Sequence, residues 1–144
     1  MVHVFETMTL NAGPDDVWSA IGDFGTLHAW HPMVDTCEMR DGAASDGVGN
    51  IRELVLANGA PVVESLRDRS EDGRTYSYDF IEVPFPITNY LSTIRVRRGA
   101  ADGQSVVEWE SNFDTPSDAE SELTGVITGV YTSGLRALRD KFGG

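Results

Sequence analysis

Period-two alternation through the middle of the chain, turn signals between the alternating runs and one long helical pattern at the end predict an α+β fold. In that fold a curved seven-stranded antiparallel sheet wraps a long C-terminal helix, with two short helices after the first strand. A length of 144 residues suits a single domain, 1–144, with one sizeable core.

Residues 2–10 alternate apolar and polar and read as the opening strand. Asn11-Ala12-Gly13-Pro14-Asp15-Asp16 then starts a helix, because proline is pre-set for the first helical position and the two carboxylates suit the positive end of the helix dipole. Val17, Trp18 and Ile21 give this helix one apolar side, and Gly22 stops it. Phe24–Trp30 reads as a second short helix before His31-Pro32.

Six further strands are predicted at 34–40, 48–56, 61–69, 74–82, 88–98 and 104–113. Asp41-Gly42, Asn58-Gly59, Asp72-Gly73, Pro84-Phe85-Pro86 and Ala101-Asp102-Gly103 separate them. Asn-Gly and Asp-Gly pairs supply the positive φ of tight hairpins, so consecutive strands form an antiparallel meander. Ser117-Asp118-Ala119-Glu120 matches a capping box with Ser117 as N-cap. Leu123, Ile127, Val130, Gly134, Leu135 and Leu138 follow at helical spacing, giving a helix of roughly six to seven turns. Its glycines at 125, 129 and 134 have two readings: close packing on the sheet, or a thin inner face that leaves room for a ligand.

Parity carries the functional signal. Arg52, Glu64, Tyr78, Tyr90 and Trp109 each fall on the phase that holds the apolar residues of their own strand, so they point toward the core side of the sheet. Charge placed there costs several kcal/mol unless it is paired or hydrogen-bonded. A cavity that applies these groups to a small molecule accounts for them. Glu64, between Val62 and Leu66, is a candidate general acid/base whose pKa burial raises and Arg52 lowers. Arg52 offers a planar fork suited to a carboxylate or an enolate oxygen, with pairing to Glu64 or Asp68 as its structural alternative. Tyr90 offers a hydroxyl. One of Tyr76 and Tyr78 also reads as packed core, and Trp109 reads as core tryptophan or as cavity wall, since inner-face aromatics are usually packing.

Composition narrows the partners. A net charge of −12 opposes nucleic acid and anionic membrane surfaces. No apolar run approaches the length of a membrane span. The single cysteine, Cys37, allows no internal disulfide, and the N-terminus lacks a basic start followed by an apolar run, so a cytoplasmic location is expected. His28 and His31 lie three apart with no third ligand at suitable spacing, so no metal site is expected. Gly47-Val48-Gly49 enters a strand rather than a helix and gives nucleotide binding no support. Arg95, Arg97 and Arg98 read as a solvated outer face, and His3 as a surface residue.

The order of motifs resembles the START-like helix-grip superfamily, also called SRPBCC. Within it the chain is similar to the polyketide cyclase/dehydrase-like branch and to plant lachrymatory-factor synthases. The resemblance rests on Ala12-x-Pro14-x-x-Val17-Trp18, Asp23-Phe24-Gly25, Trp30-x-Pro32-Met33-Val34 and Gly47-Val48-Gly49-x-x-Arg52. It continues through Val63-Glu64-x-Leu66, Tyr76-x-Tyr78, Asn89-Tyr90, Glu108-Trp109 and Gly129-Val130-Tyr131-x-x-Gly134-Leu135. It implies a site with Arg52, Glu64, Tyr78 and Tyr90, a wall at Trp109 and no cofactor. Tyr76, Trp30 and Phe85 are expected as further ligand contacts. The Pro84-Phe85-Pro86 segment departs from the synthases near the expected pocket mouth. Three functions follow from these readings. One is cofactor-free cyclisation, dehydration or isomerisation of a small, largely apolar molecule with a polar end. Another is non-enzymatic carriage or sensing of such a ligand, and the weakest is binding of a protein partner with an incidental cavity.

Overall fold

Each predicted strand has a counterpart in the computed structural model, which describes residues 1–144. The elements run β1 (Val2–Leu10), α1 (Pro14–Ile21), a 3₁₀ segment (Phe24–Ala29), β2 (Val34–Met39), β3 (Ile51–Leu56) and β4 (Pro61–Ser70). β5 (Thr75–Glu82), β6 (Thr88–Arg98), β7 (Ser105–Asp114) and α2 (Glu120–Phe142) complete the chain. All strands pair antiparallel in one sheet of order β1-β7-β6-β5-β4-β3-β2. The first strand therefore joins the sheet beside the last, with Val2 opposite Phe113 and Leu10 opposite Ser105.

One face of the sheet is covered by α2, whose Leu123, Ile127, Tyr131, Gly134, Leu135 and Leu138 are buried. This is the helix-grip arrangement. The other face is wet: Arg95 reaches Glu108 at 3.8 Å and Glu110 at 3.4 Å, Arg97 donates to Glu108, and His3 bonds Glu110 at 3.0 Å. The apolar side of α1 packs through Val17, Trp18 and Ile21, and the Trp18 Nε1–H donates to Glu71 at 2.9 Å.

Several local details differ from the sequence reading. The stretch 48–56 is extended only from Ile51, because Gly49 adopts φ +90° and turns the chain there; Val48 stands exposed. The Asp72-Gly73 turn carries its positive φ on Arg74 (φ 48°) rather than on the glycine. Ser117 does not cap the long helix. It opens a 3₁₀ turn, Ser117–Ala119, in which the Ala119 N–H donates to Pro116 O at 2.9 Å, and α2 begins behind Ala119 without a side-chain cap. Asp68 is exposed despite sharing the parity of Glu64, because a β-bulge between Leu66 and Asp68 resets the alternation. That bulge removes Asp68 as a partner for Arg52.

The glycines of α2 divide. A Cβ at Gly134 would lie 2.8 Å from His31 Cδ2 and 2.9 Å from the Trp109 ring, so this position lets the helix sit directly on the sheet. Gly125 and Gly129 face open space and carry no such requirement.

Candidate functional site

Strand pleating puts Arg52 (β3), Glu64 (β4), Tyr78 (β5), Tyr90 (β6) and Trp109 (β7) on the helix-covered face, where each is at least nine-tenths buried. Register brings the charged two together, since Arg52 is directly opposite Glu64. The Arg52 Nε–H donates to Glu64 Oε1 at 2.8 Å, and Nη2 lies 2.7 Å from the same oxygen without hydrogen-bond alignment. Nη1 donates to the Phe24 carbonyl at 3.0 Å, and the guanidinium carbon sits 3.9 Å from the Phe24 ring centroid and 4.8 Å from that of Tyr78. Phe24 thus encloses the arginine from the 3₁₀ segment.

Between this face and α2 lies a hollow of about 60 Å³. Its walls come from Leu54 and Leu56 of β3, Val62 and Glu64 of β4, Tyr78 and Phe80 of β5, Tyr90 of β6 and Trp109 of β7. Val126, Ile127 and Val130 of α2 roof it, and Leu27, His31, Met33, Val34, Val83 and Phe85 close the remaining sides. Pockets that enclose drug-sized ligands run to roughly 300–1,000 Å³. This hollow is a contracted space, and admitting a ring system requires its walls to part.

Arg52, Tyr76 and Trp30 stand behind the lining rather than on it. Arg52 is fully buried because its fork is already engaged by Glu64 and Phe24. Tyr76 packs edge-on against Phe24 at 5.6 Å, with its hydroxyl unpartnered. Trp30 lies tilted against His31 and Trp109, its Nε1–H also without a partner. Phe85 does reach the lining from the Pro84-Phe85-Pro86 turn.

Glu64 is the only carboxylate on the wall, and its oxygens are unequal. Oε1 takes both arginine contacts, whereas Oε2 accepts from no protein donor. Burial pushes this carboxyl above the usual carboxylate range, and Arg52 opposes the push through its charge and its hydrogen bond. Arg52 itself stays charged: burial is the largest single effect and favours its neutral form, but Glu64 together with smaller contributions from Tyr76, Tyr78 and Cys37 outweighs it.

The tyrosine end is a hydroxyl cluster. Tyr131 of α2 bonds Tyr90 at 2.6 Å and Ser92 at 2.8 Å. The Trp109 Nε1–H is shared between Tyr78 Oη and Ser92 Oγ, each at 3.2 Å. Trp109 also stacks on Tyr131, centroids 4.6 Å apart. Burial raises the phenols of Tyr78 and Tyr90 well above their ordinary value and pushes Tyr131 up to about 12, so all three are neutral donors at working pH. Tyr131 and Ser92 were not singled out as site residues from the sequence, although each follows from position. Ser92 shares the phase of Tyr90, and Tyr131 lies one helical turn after Ile127.

His31 lines the hollow as well, with both ring nitrogens occupied. Nδ1 accepts from the Met33 N–H at 3.1 Å, which leaves Nε2–H to donate to Val130 O at 2.8 Å. The ring therefore ties the β2 approach to α2 and is not free as a base. Burial holds its pKa below the usual histidine range. His28, three residues earlier, is exposed.

Comparison with known proteins fits this geometry. The model of the family described as polyketide cyclase / dehydrase and lipid transport matches residues 1–143. The chain belongs to this family. A similar solved structure is the protein XoxI from Bacillus cereus, 32% identical, TM-score 0.90, covering 99% of this chain and 96% of that one. A protein from Thermobifida fusca is 34% identical with TM-score 0.87, covering 99% and 94% of the two chains. The Zhui aromatase/cyclase from a Streptomyces species shares the fold at 17% identity and TM-score 0.80, over 97% and 92%. No protein with a curated description matches the chain. No helix is long and apolar enough to cross a membrane.

Proposed function

We propose that the protein encloses a small, largely apolar molecule and moves a proton on it without a cofactor, in a cyclisation, dehydration or isomerisation. The observation that carries this reading is Glu64: the one carboxylate in a largely apolar wall, one oxygen clamped by Arg52 and the other unpartnered. Family membership and the likeness to an aromatase/cyclase fold support it.

In this reading Glu64 Oε2 takes a proton from an acidic C–H beside a carbonyl. The electron pair moves onto the carbonyl oxygen, where a neutral tyrosine hydroxyl on the wall donates to it. The protonated Glu64 then returns the proton to another carbon, giving isomerisation, or to a departing hydroxyl, which leaves as water. A carboxyl raised toward working pH suits both directions. Arg52 acts as a positioning residue that fixes the rotamer of Glu64 and supplies its counter-charge.

The test is deuterium exchange at the α-carbon of 2-tetralone in D₂O, followed by NMR. Wild type accelerates exchange over buffer, and E64Q loses about 10²-fold or more of that acceleration, the ordinary size of a general-base effect. Because the base form is required, the rate rises with pH, through an inflection above the ordinary carboxylate value. Equal rates in wild type, E64Q and buffer, with the ketone bound, would exclude catalysis and leave carriage of an apolar ligand. That second reading draws on Arg52 being sealed away from the hollow.

A further inference from the structure

The polar inventory of the hollow defines the polar end of its ligand. Arg52, the one cation near the site, is fully buried, has its Nε and Nη1 donors engaged and does not line the space. No cationic side chain is therefore offered to an incoming anion. His31 cannot substitute, because its single N–H donates to Val130 O. What faces the hollow instead is the unpartnered Oε2 of a carboxylate, which repels a second carboxylate and accepts from a neutral donor.

Tyr78 supplies the complement. Its oxygen accepts from Trp109 Nε1 at 3.2 Å, but its own O–H has no acceptor in the protein, and the residue is on the wall. Tyr90 differs, since its hydroxyl is already joined to Tyr131 at 2.6 Å. Glu64 and Tyr78 are diagonal neighbours across the β4–β5 pair, for Glu64 faces Phe80 and Leu66 faces Tyr78 on the same side of the sheet. One acceptor and one donor thus stand side by side in an apolar cavity. A single hydroxyl group satisfies both, having one proton to give and lone pairs to receive.

We propose that the ligand of this cavity presents a neutral hydroxyl, phenolic or enolic, that donates to Glu64 Oε2 and accepts from Tyr78 Oη, and that carboxylate ligands are rejected. This rests on the enclosed-ligand reading above and narrows it. It sets aside the reading in which Arg52 meets a ligand carboxylate or enolate oxygen, and keeps the alternative in which Arg52 pairs with Glu64.

The test uses two matched probe sets, phenol, benzoate and toluene, then 2-naphthol, 2-naphthoate and 2-methylnaphthalene, titrated into wild type, Y78F and E64Q by NMR at neutral pH. Circular dichroism checks that each variant is folded. In wild type the hydroxyl probe of at least one set binds about tenfold or more tighter than its methyl and carboxylate counterparts, the scale of hydrogen bonds that involve a charged group. Y78F shrinks the hydroxyl-to-methyl ratio while its fold is kept, because Trp109 Nε1 retains Ser92 Oγ. E64Q, if folded, shrinks the discrimination against the carboxylate. A carboxylate or methyl probe bound as tightly as the hydroxyl, or an unchanged hydroxyl-to-methyl ratio in Y78F, overturns the proposal while leaving enclosure of a ligand intact. Failure of all six probes to bind overturns the enclosure reading, and this proposal with it.

Discussion

At the scale of single residues, the Arg52–Glu64 pair sets what the site can be. Two charges removed from water are tolerated only while each has the other, so breaking the pair costs more than replacing it. R52M should destabilise the protein by about 3–5 kcal/mol by stranding a buried carboxylate, and adding E64Q should recover part of the loss. Urea midpoints at unchanged m-value would show this, and a double variant no more stable than R52M would refute it. The pair was legible in the sequence because strand parity is strict: two charged residues on the apolar phase of adjacent strands must either meet or fail. What parity could not give was depth. Whether Arg52 faces the hollow or is sealed behind it depends on Phe24, which comes from a 3₁₀ segment that no strand periodicity reaches. The inward position of His31 was hidden for the same reason, since it precedes β2 in irregular chain.

At the scale of elements, turn chemistry located most hairpins, and helical spacing located α2. The misplaced details all involve backbone exceptions. Gly49 shortens β3, a bulge turns Asp68 outward, and a 3₁₀ entry after Pro116 displaces the expected cap. Each is a local override of a periodic rule, invisible to a pattern that assumes constant period. The glycines of α2 test the packing account directly. G134A should destabilise by about 1–3 kcal/mol, because the added methyl meets His31 and the Trp109 ring. G125A should stabilise by up to about 1 kcal/mol, since its methyl meets nothing and helix propensity improves. Thermal melts of the two variants would separate these signs. Equal shifts would mean that α2 does not seat on the sheet at Gly134.

At the scale of the whole molecule, the buried titratable groups give stability opposing pH slopes. The folded pKa of His31 is lowered, so its contribution is complete above the unfolded histidine value and is lost as pH falls toward the folded one. Glu64 has a raised folded pKa, and its contribution is complete below the unfolded carboxylate value and is lost as pH rises through the folded one. H31Q isolates the first effect: between pH 7.5 and 5 the wild type should lose stability relative to H31Q, whose amide titrates nowhere in that range. Parallel urea midpoints for the two proteins across this range would contradict a neutral, doubly bonded imidazole. Family and fold were readable from motif order over nearly the entire chain, whereas the contracted volume of the hollow was not, because it depends on how far α2 stands from the sheet.

The seam between β1 and β7 has a consequence for biogenesis. The opening strand emerges from the ribosome with no neighbour to pair with, because its partner is translated roughly a hundred residues later. The residue that follows β1 is also tied to the segment behind α2, the Asn11 N–H donating to Gly143 O at 2.9 Å. Until β7 has been made, an amphipathic ribbon waits with both edges bare, which makes this segment the natural client for a chaperone during translation.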